Sequence, residues 1–131
     1  MRGYDAPMDG VGRVNGLVID GHDTFALARF WGAMFATEVE SVANDGQYVD
    51  LMANDRAPLL RFQRVPERKQ VKNRLHLDID VDDVPAAMAR VREIGGSIVQ
   101  DVTQEFGYDF AIVADPEGNE FCLIRTSDGP T

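Results

Sequence analysis

The chain repeats itself after sixty residues, and this repeat constrains the fold more than any other feature of the sequence. Residues 16–42 align without a gap to residues 76–102. The identical positions are Leu17/Leu77, Ile19/Ile79, Asp20/Asp80, Asp23/Asp83, Ala26/Ala86, Val39/Val99 and Val42/Val102. Chance would give roughly one or two identities over this length, so each segment is interpreted as a copy of one supersecondary unit. An offset of sixty-one continues the match through Ala53/Ala114 and Arg64/Arg125.

Each copy shows the same series of local patterns, a strand, a helix and three further strands. The strands are predicted at residues 12–20, 37–43, 47–53 and 58–65, and again at 74–81, 97–103, 108–114 and 119–126. The helices are predicted at about residues 23–36 and 83–95. Their N-cap candidates are Asp23 or Thr24 in the first helix and Asp82 or Asp83 in the second.

The repeat predicts an α+β fold made of two tandem βαβββ modules. Module one is assigned to residues 13–66 and module two to 73–126, within a single domain. One helix cannot cover both faces of its sheet, so pairing the two sheets would form a barrel-like cup. Residues 1–12 are expected to be a flexible leader and 127–131 a tail.

Composition limits the partners that such a domain can have. The chain carries a formal charge of −9 and a pI near 4.5, which disfavours nucleic acid and anionic membranes as partners. Its single cysteine, Cys122, excludes an intrachain disulfide and favours a reducing, cytoplasmic location. A small organic molecule is the expected partner.

Strand alternation divides the side chains into a face packed beneath the helices and a face lining the cup. The apolar set includes Leu60, Phe62, Leu77 and Ile79. The predicted cup lining is Gly16, Val18, Arg61, Gln63, His76, Asp78, Glu120 and Cys122. A concave surface with a few convergent polar groups is typical of a small-molecule site. Because Arg61 is always charged, an anionic or carbonyl-bearing ligand is expected.

The segments Asn73–Asp83 and Asp115–Leu123 resemble the glyoxalase-like, or vicinal oxygen chelate, superfamily. The resemblance extends over about residues 12–126 and implies the same two-module cup. Members include lyases, isomerases, dioxygenases, epimerases and drug-sequestering proteins, so the fold alone does not assign an activity. Homodimerisation is a further expectation from the resemblance.

Metal-dependent members bind one divalent ion through a His or Gln on the first strand of each module and a Glu on the last. Carried over to this chain, these positions fall on His76, Gly16, Cys122 and either Arg61 or Gln63. Since a glycine offers no ligand and an arginine repels cations, a bound metal is possible but disfavoured, and no cofactor is predicted.

His76 is the candidate catalytic residue, as a general acid or base; the alternative is a pocket histidine hydrogen-bonded to a neighbour. The ligand-binding candidates are Arg61, Gln63, His76, Asp78, Glu120 and Cys122. His22 is expected to be exposed in a turn.

The sequence is compatible with three functions. The first is a glyoxalase-like protein that binds a small organic molecule, with or without lyase-type activity. The second is non-catalytic sequestration of a drug or metabolite, as in bleomycin-resistance-like members. The third is a metal-dependent dioxygenase or glyoxalase.

Overall fold

The computed structural model describes residues 10–105 and 107–126, so the predicted tail and most of the predicted leader lie outside the described residues. The elements are β1 (Gly16–Gly21), α1 (Thr24–Phe35), β2 (Val39–Ala43), β3 (Tyr48–Leu51), β4 (Leu59–Arg64), β5 (Asp78–Asp80), α2 (Val84–Glu93), β6 (Ser97–Glu105), β7 (Tyr108–Ala114) and β8 (Glu120–Thr126). A short 3-10 turn at Asn44–Gly46 joins β2 to β3. The βαβββ order occurs twice, which confirms the predicted α+β class and its two tandem modules.

The two modules form two open sheets of identical topology. The strand order is β1-β4-β3-β2 in the first sheet and β5-β8-β7-β6 in the second. In each sheet the first strand pairs parallel with the last, and the other pairs are antiparallel.

The strand register defines which residues of the two modules are equivalent. Val18 pairs with Arg61 in the first sheet, and Asp78 pairs with Cys122 in the second. Asp78 follows Val18 by sixty residues, and Cys122 follows Arg61 by sixty-one. These are the two offsets of the sequence repeat. Arg61 rather than Gln63 is therefore the module-one counterpart of Cys122, a question that the sequence left open.

Both helices begin at the aspartates that the repeat shares. The Asp23 carboxylate accepts a hydrogen bond from the Ala26 backbone N–H at 3.0 Å. The Asp83 carboxylate accepts one from the Ala86 backbone N–H, also at 3.0 Å. Thr24, the alternative cap, instead donates its hydroxyl to the Gly46 carbonyl at 2.6 Å.

The modules share one hydrophobic core. Phe30 and Trp31 of α1 pack against Phe121 of β8, with ring centroids 6.0 Å and 4.7 Å apart. All three side chains are almost fully buried. Because these contacts join module one to module two, we expect the modules to unfold together.

The turn between β7 and β8 also connects the modules. The buried Asp115 carboxylate accepts hydrogen bonds from the Trp31 indole N–H at 3.0 Å and from the backbone N–H groups of Glu117 and Asn119, both at 2.9 Å. The Glu117 carboxylate in turn accepts the backbone N–H groups of His22 and Asp23, at 2.9 and 2.7 Å, at the start of α1. The segment that carries the family resemblance thus has a structural role.

Two strand predictions were wrong at their N-terminal ends. The first strand begins at Gly16 instead of residue 12, and β5 comprises only Asp78–Asp80 instead of 74–81. His76 therefore lies in extended chain just before β5, where the Leu77 carbonyl still accepts the Cys122 N–H at 2.9 Å. Within the described ranges, the helices are too short or too polar to cross a membrane.

Candidate functional site

Three predicted site residues come together on the solvent-facing side of module two. The ligand atoms of His76, Asp78 and Cys122 all lie within 4.8 Å of one another. The His76 Nδ1 atom is 3.7 Å from the Asp78 carboxylate, and both side chains are about half exposed. The pairing of β5 with β8 positions this cluster, because it places Cys122 directly beside Asp78. The chemistry available here is a nitrogen, an oxygen and a sulfur donor side by side.

The Cys122 thiol is poorly suited to act as a nucleophile. Partial burial raises the pKa of the thiol, and the negative charge of Asp78 raises it further. Because the thiolate is the reactive form, a thiol with a raised pKa is protonated at neutral pH.

Glu120 is held by the segment that links the modules. Its carboxylate accepts the Asn73 backbone N–H at 3.3 Å and lies 3.4 Å from the Lys69 ammonium. The Asn73 hydrogen bond lowers the pKa of Glu120, and Lys69 adds to the effect. Glu120 is therefore an ionised, fixed carboxylate, and Lys69 and Asn73 are partners that the sequence reading did not identify.

A cavity of about 540 Å³ lies between β1 and the start of module two. Its apolar wall is formed by Leu17, Val18, Ile19, Trp31, Val65, Leu75, Leu77 and Phe121. Its polar wall is formed by Asp20, Glu67, Arg68, Lys69, Asn73, His76, Glu117, Asn119 and Glu120. Of the six predicted ligand-binding residues, His76 and Glu120 line this cavity.

A second cavity, of about 670 Å³, lies along α2 and the end of α1. It includes Asp78, but its wall consists largely of helix-facing side chains such as Leu60, Val91 and Leu123. His76 belongs to the first cavity and to the cluster with Asp78 and Cys122, so the candidate site is centred on His76.

Arg61, which was predicted to bind an anionic or carbonyl-bearing ligand, is already paired with an acidic side chain. Its guanidinium forms a two-pronged pair with the Asp50 carboxylate, at 2.7 and 2.8 Å, across the β3–β4 ladder. Arg61 and Gln63 both lie outside the lining of the 540 Å³ cavity. This pair could not be predicted from the sequence, because Asp50 faces Arg61 only in the observed strand register.

The Arg61–Asp50 pair predicts a stability change that depends on pH. The hydrogen bonds from Arg61 hold the pKa of Asp50 below its ordinary value, against the opposing effect of burial. A carboxyl with a lowered pKa in the folded state stabilises the protein above its unfolded pKa of about 3.9, and this stabilisation is lost as the pH falls through the folded pKa. We therefore expect Arg61→Gln to destabilise the protein at neutral pH, and we expect this penalty to shrink progressively as the pH falls below about 4.

Urea unfolding of the unchanged protein and of Arg61→Gln across this pH range measures the difference between their free energies of unfolding. The control is Arg56→Gln, which changes an exposed arginine of the preceding loop. A penalty for Arg61→Gln that stayed constant between neutral and acidic pH would show that the pair does not stabilise the fold through its charge.

The ligand set of metal-dependent relatives is incomplete in this chain. A Cβ atom at Gly16 would lie 2.7 Å from the Leu59 carbonyl oxygen and 2.9 Å from the Leu59 side chain, so the backbone leaves no room for a ligand side chain. The other module-one position is Arg61, which is cationic and already paired. A site that draws ligands from both modules does not fit these residues.

His22 is more enclosed than expected. The residue is half-buried, and among the described residues its Nε2 atom is buried without a hydrogen-bond partner. It lies in the turn before α1, where its backbone N–H binds Glu117.

This combination of a two-module βαβββ fold and a cavity at the module junction defines a class of proteins, and comparison with known families identifies it. The Glyoxalase-like domain family matches residues 16–124, so the chain belongs to that family. The family is the one that the sequence resemblance indicated. No curated protein sequence matches the chain.

Solved structures support the same fold. The glyoxalase family protein from Enterococcus faecalis is 17% identical, with a TM-score of 0.68 over 88% of this chain and 98% of that one. A glyoxalase-related enzyme from Fulvimarina pelagi is 20% identical, with a TM-score of 0.63 over 87% and 94% of the chains. A glyoxalase/bleomycin resistance protein/dioxygenase family enzyme from Burkholderia phytofirmans PsJN is 16% identical, with a TM-score of 0.61 over 83% and 95%. At these identities the likeness establishes the fold and leaves the reaction open.

Proposed function

We propose that the protein binds a small organic molecule in the 540 Å³ cavity between its modules. The observation that carries the proposal is the lining of that cavity, in which the aromatic rings of Trp31 and Phe121 accompany His76 and Glu120. Its volume falls in the range of about 300–1,000 Å³ that is usual for ligand pockets, and such pockets combine apolar walls with a few polar groups.

The charges around the cavity disfavour an anionic ligand. Four acidic side chains, Asp20, Glu67, Glu117 and Glu120, and two basic ones, Arg68 and Lys69, line it. The sequence-based argument for an anionic ligand relied on the charge of Arg61. Because Arg61 is paired with Asp50, that charge is not available to a ligand. We therefore propose a partly apolar molecule that bears hydrogen-bonding groups and no net negative charge.

Lyase-type proton transfer is a second candidate, favoured by the environment of His76. The Asp78 carboxylate, 3.7 Å from Nδ1, is close enough to orient the imidazole ring. The other ring nitrogen would then exchange a proton with a ligand in the cavity. Turnover that His76→Gln abolishes, with binding retained, would distinguish this function from sequestration.

Trp31 provides a direct test of binding. It is the only tryptophan of the chain and it lines the cavity, so a ligand there should change its fluorescence. We expect compounds that raise the melting temperature in a screen of uncharged small molecules to change Trp31 emission at the same concentrations.

Two exposed apolar side chains of the linker give a matched pair of variants. Leu75 lines the cavity and is 70% exposed, whereas Val71 is 77% exposed and lies outside the lining. Leu75→Ala should weaken binding by roughly three- to tenfold, because it removes about 1 kcal/mol of apolar contact, and Val71→Ala should not. Neither change should shift the melting temperature of the free protein. Equal losses in both variants, or stabilising ligands that leave Trp31 emission unchanged, would place the ligand site elsewhere.

A further inference from the structure

The two cavities described above correspond to each other under the sequence repeat. Applying the offsets of sixty and sixty-one to the lining of the 540 Å³ cavity gives much of the lining of the 670 Å³ cavity. The corresponding pairs include Ile19/Ile79, Asp20/Asp80, Gly21/Val81, Trp31/Val91, Glu117/Arg56 and Phe121/Leu60. Leu17 and Leu77, which are counterparts of each other, line both cavities. The second cavity is therefore a repeat of the first, with a changed set of side chains.

Hydrogen bonds in the turns before β4 and β8 confirm that Arg56 corresponds to Glu117. The Asn54 side-chain oxygen accepts the Arg56 backbone N–H at 2.8 Å. The Asp115 carboxylate, sixty-one residues further along the chain, accepts the Glu117 backbone N–H at 2.9 Å. The two turns thus place side chains of opposite charge at equivalent positions.

In the first cavity this position holds a carboxylate. The Glu117 carboxylate accepts the backbone N–H groups of His22 and Asp23, at 2.9 and 2.7 Å. The counterparts of these two residues are Asp82 and Asp83, and no residue in the described part of the chain accepts their backbone N–H groups. The second cavity therefore has the backbone donors of this arrangement without the carboxylate that binds them in the first.

We propose that the 670 Å³ cavity binds a molecule with one carboxylate and an apolar body, such as a medium-chain fatty acid. The carboxylate takes the position that corresponds to the Glu117 carboxylate, beside the Arg56 guanidinium and the backbone N–H groups of Asp82 and Asp83. Arg56 and Asp82 both line the cavity. Arg56 is exposed and forms no ion pair with any described residue, so its charge is available to a ligand. Arginine and backbone N–H groups form short, charge-assisted hydrogen bonds with carboxylates.

The acidic side chains around the second cavity do not exclude a carboxylate. Three aspartates and two arginines line it: Asp78, Asp80, Asp82, Arg56 and Arg90. The first cavity has four acidic and two basic side chains, and one of the four is Glu117 itself. Without Glu117, three acidic and two basic side chains remain, which is the balance found in the second cavity. Surroundings of the same charge therefore hold one carboxylate in the first cavity and leave a place for one in the second.

The rest of the second cavity suits an alkyl chain. Val91 stands at the position of Trp31, and Leu60 at that of Phe121, so aliphatic side chains replace the two aromatic rings. The same wall includes Leu77, Ile79 and Ile94. Each methylene that leaves water for such a wall strengthens binding by about fourfold. The apolar body is essential, because one exposed arginine and the start of a helix hold a bare carboxylate only weakly.

Isothermal titration calorimetry with octanoate tests the site. We expect one octanoate to bind per chain, and to bind about tenfold more tightly than hexanoate, which is two methylenes shorter. Arg56→Gln should weaken octanoate binding by about fivefold or more, because it removes the cation. The uncharged alcohol 1-octanol has the same chain length and should bind equally to the unchanged protein and to Arg56→Gln.

Two variants separate the carboxylate position from general charge effects. Arg92→Gln removes an exposed arginine of α2 that lies outside the cavity lining, and it should bind octanoate as the unchanged protein does. Arg56→Glu puts a carboxylate of the protein at the position that Glu117 has in the first cavity, so it should abolish octanoate binding. Circular dichroism melting confirms that each variant is folded.

The proposal is overturned if octanoate does not bind, if Arg56→Gln binds it as tightly as the unchanged protein does, or if Arg92→Gln weakens binding as much as Arg56→Gln. Leu75→Ala, which impairs only the 540 Å³ cavity, should leave octanoate binding unchanged. A loss in Leu75→Ala equal to that in Arg56→Gln would place octanoate in the 540 Å³ cavity and would also overturn the proposal. The proposals for the two cavities therefore fail independently.

Discussion

Phe121→Ala is expected to lower the free energy of unfolding by about 3–5 kcal/mol, the largest effect of any single change considered. Phe121 is 1% exposed and contacts both Phe30 and Trp31. Truncation removes the transfer free energy of the ring and leaves a cavity that the surrounding strands cannot close. The loss would be a large part of the stability of a domain of this size.

Urea unfolding followed with two probes also tests whether the two modules unfold together. Trp31 fluorescence reports on α1 and its contact with module two, whereas far-ultraviolet circular dichroism reports on the secondary structure of both modules. Because the shared core joins the modules, both transitions should coincide and both should move to lower urea in Phe121→Ala. Val71→Ala, at an exposed linker position, should stay within about 0.5 kcal/mol of the unchanged protein. Separate transitions for the two probes would show that the modules unfold independently.

Asp115→Ala is expected to cost about 2–4 kcal/mol, because it leaves several buried donors without an acceptor. The carboxylate is 2% exposed and receives the Trp31 indole N–H together with N–H groups of its own turn. Asp115→Asn should cost less, since its amide oxygen still accepts part of these hydrogen bonds. Asp55→Ala, at an exposed loop position, serves as the control and should be nearly neutral.

A double-mutant cycle isolates the contact between the modules. Trp31→Phe removes the indole donor and keeps most of the ring packing, so Asp115→Asn should cost less in that background than in the unchanged protein. Circular dichroism is the probe, since Trp31→Phe removes the fluorophore. Strictly additive effects would mean that the indole bond contributes nothing to stability, and that Asp115 only shapes its turn.

Much of the fold could be predicted because its determinants are local. Apolar periodicity located both helices, and Asp23 and Asp83 define their starts through bonds to backbone groups three residues away. The Asp115–Gly118 turn has its proline and glycine at positions that a type I turn prefers, and the Gly118 N–H bonds to the Asp115 carbonyl at 3.0 Å. The strand before Asp78 was overextended, because alternation of side chains does not reveal where a strand loses its partner.

The candidate site was predicted less completely. Strand alternation placed His76, Asp78 and Cys122 on one face, and the structure brings them together. The same reasoning assigned Arg61 to a ligand, whereas the register places it against Asp50. Trp31, Lys69 and Asn73 also line the cavity, although the strand alternation that predicted the cup lining does not include them. These residues belong to a helix and a linker, and their approach to His76 depends on how the modules pack.

The sequence by itself determined the repeat, the order of its elements, the helix caps and the face on which each strand residue lies, because hydrogen bonds and side-chain periodicity within a few residues control these features. Only the tertiary structure decided that Asp50 neutralises Arg61, that the Asp115 turn receives the indole of the other module, and that three donors of module two converge. Each of these depends on contacts between residues distant in the chain or on strand register. Local sequence patterns contain no information about such distances.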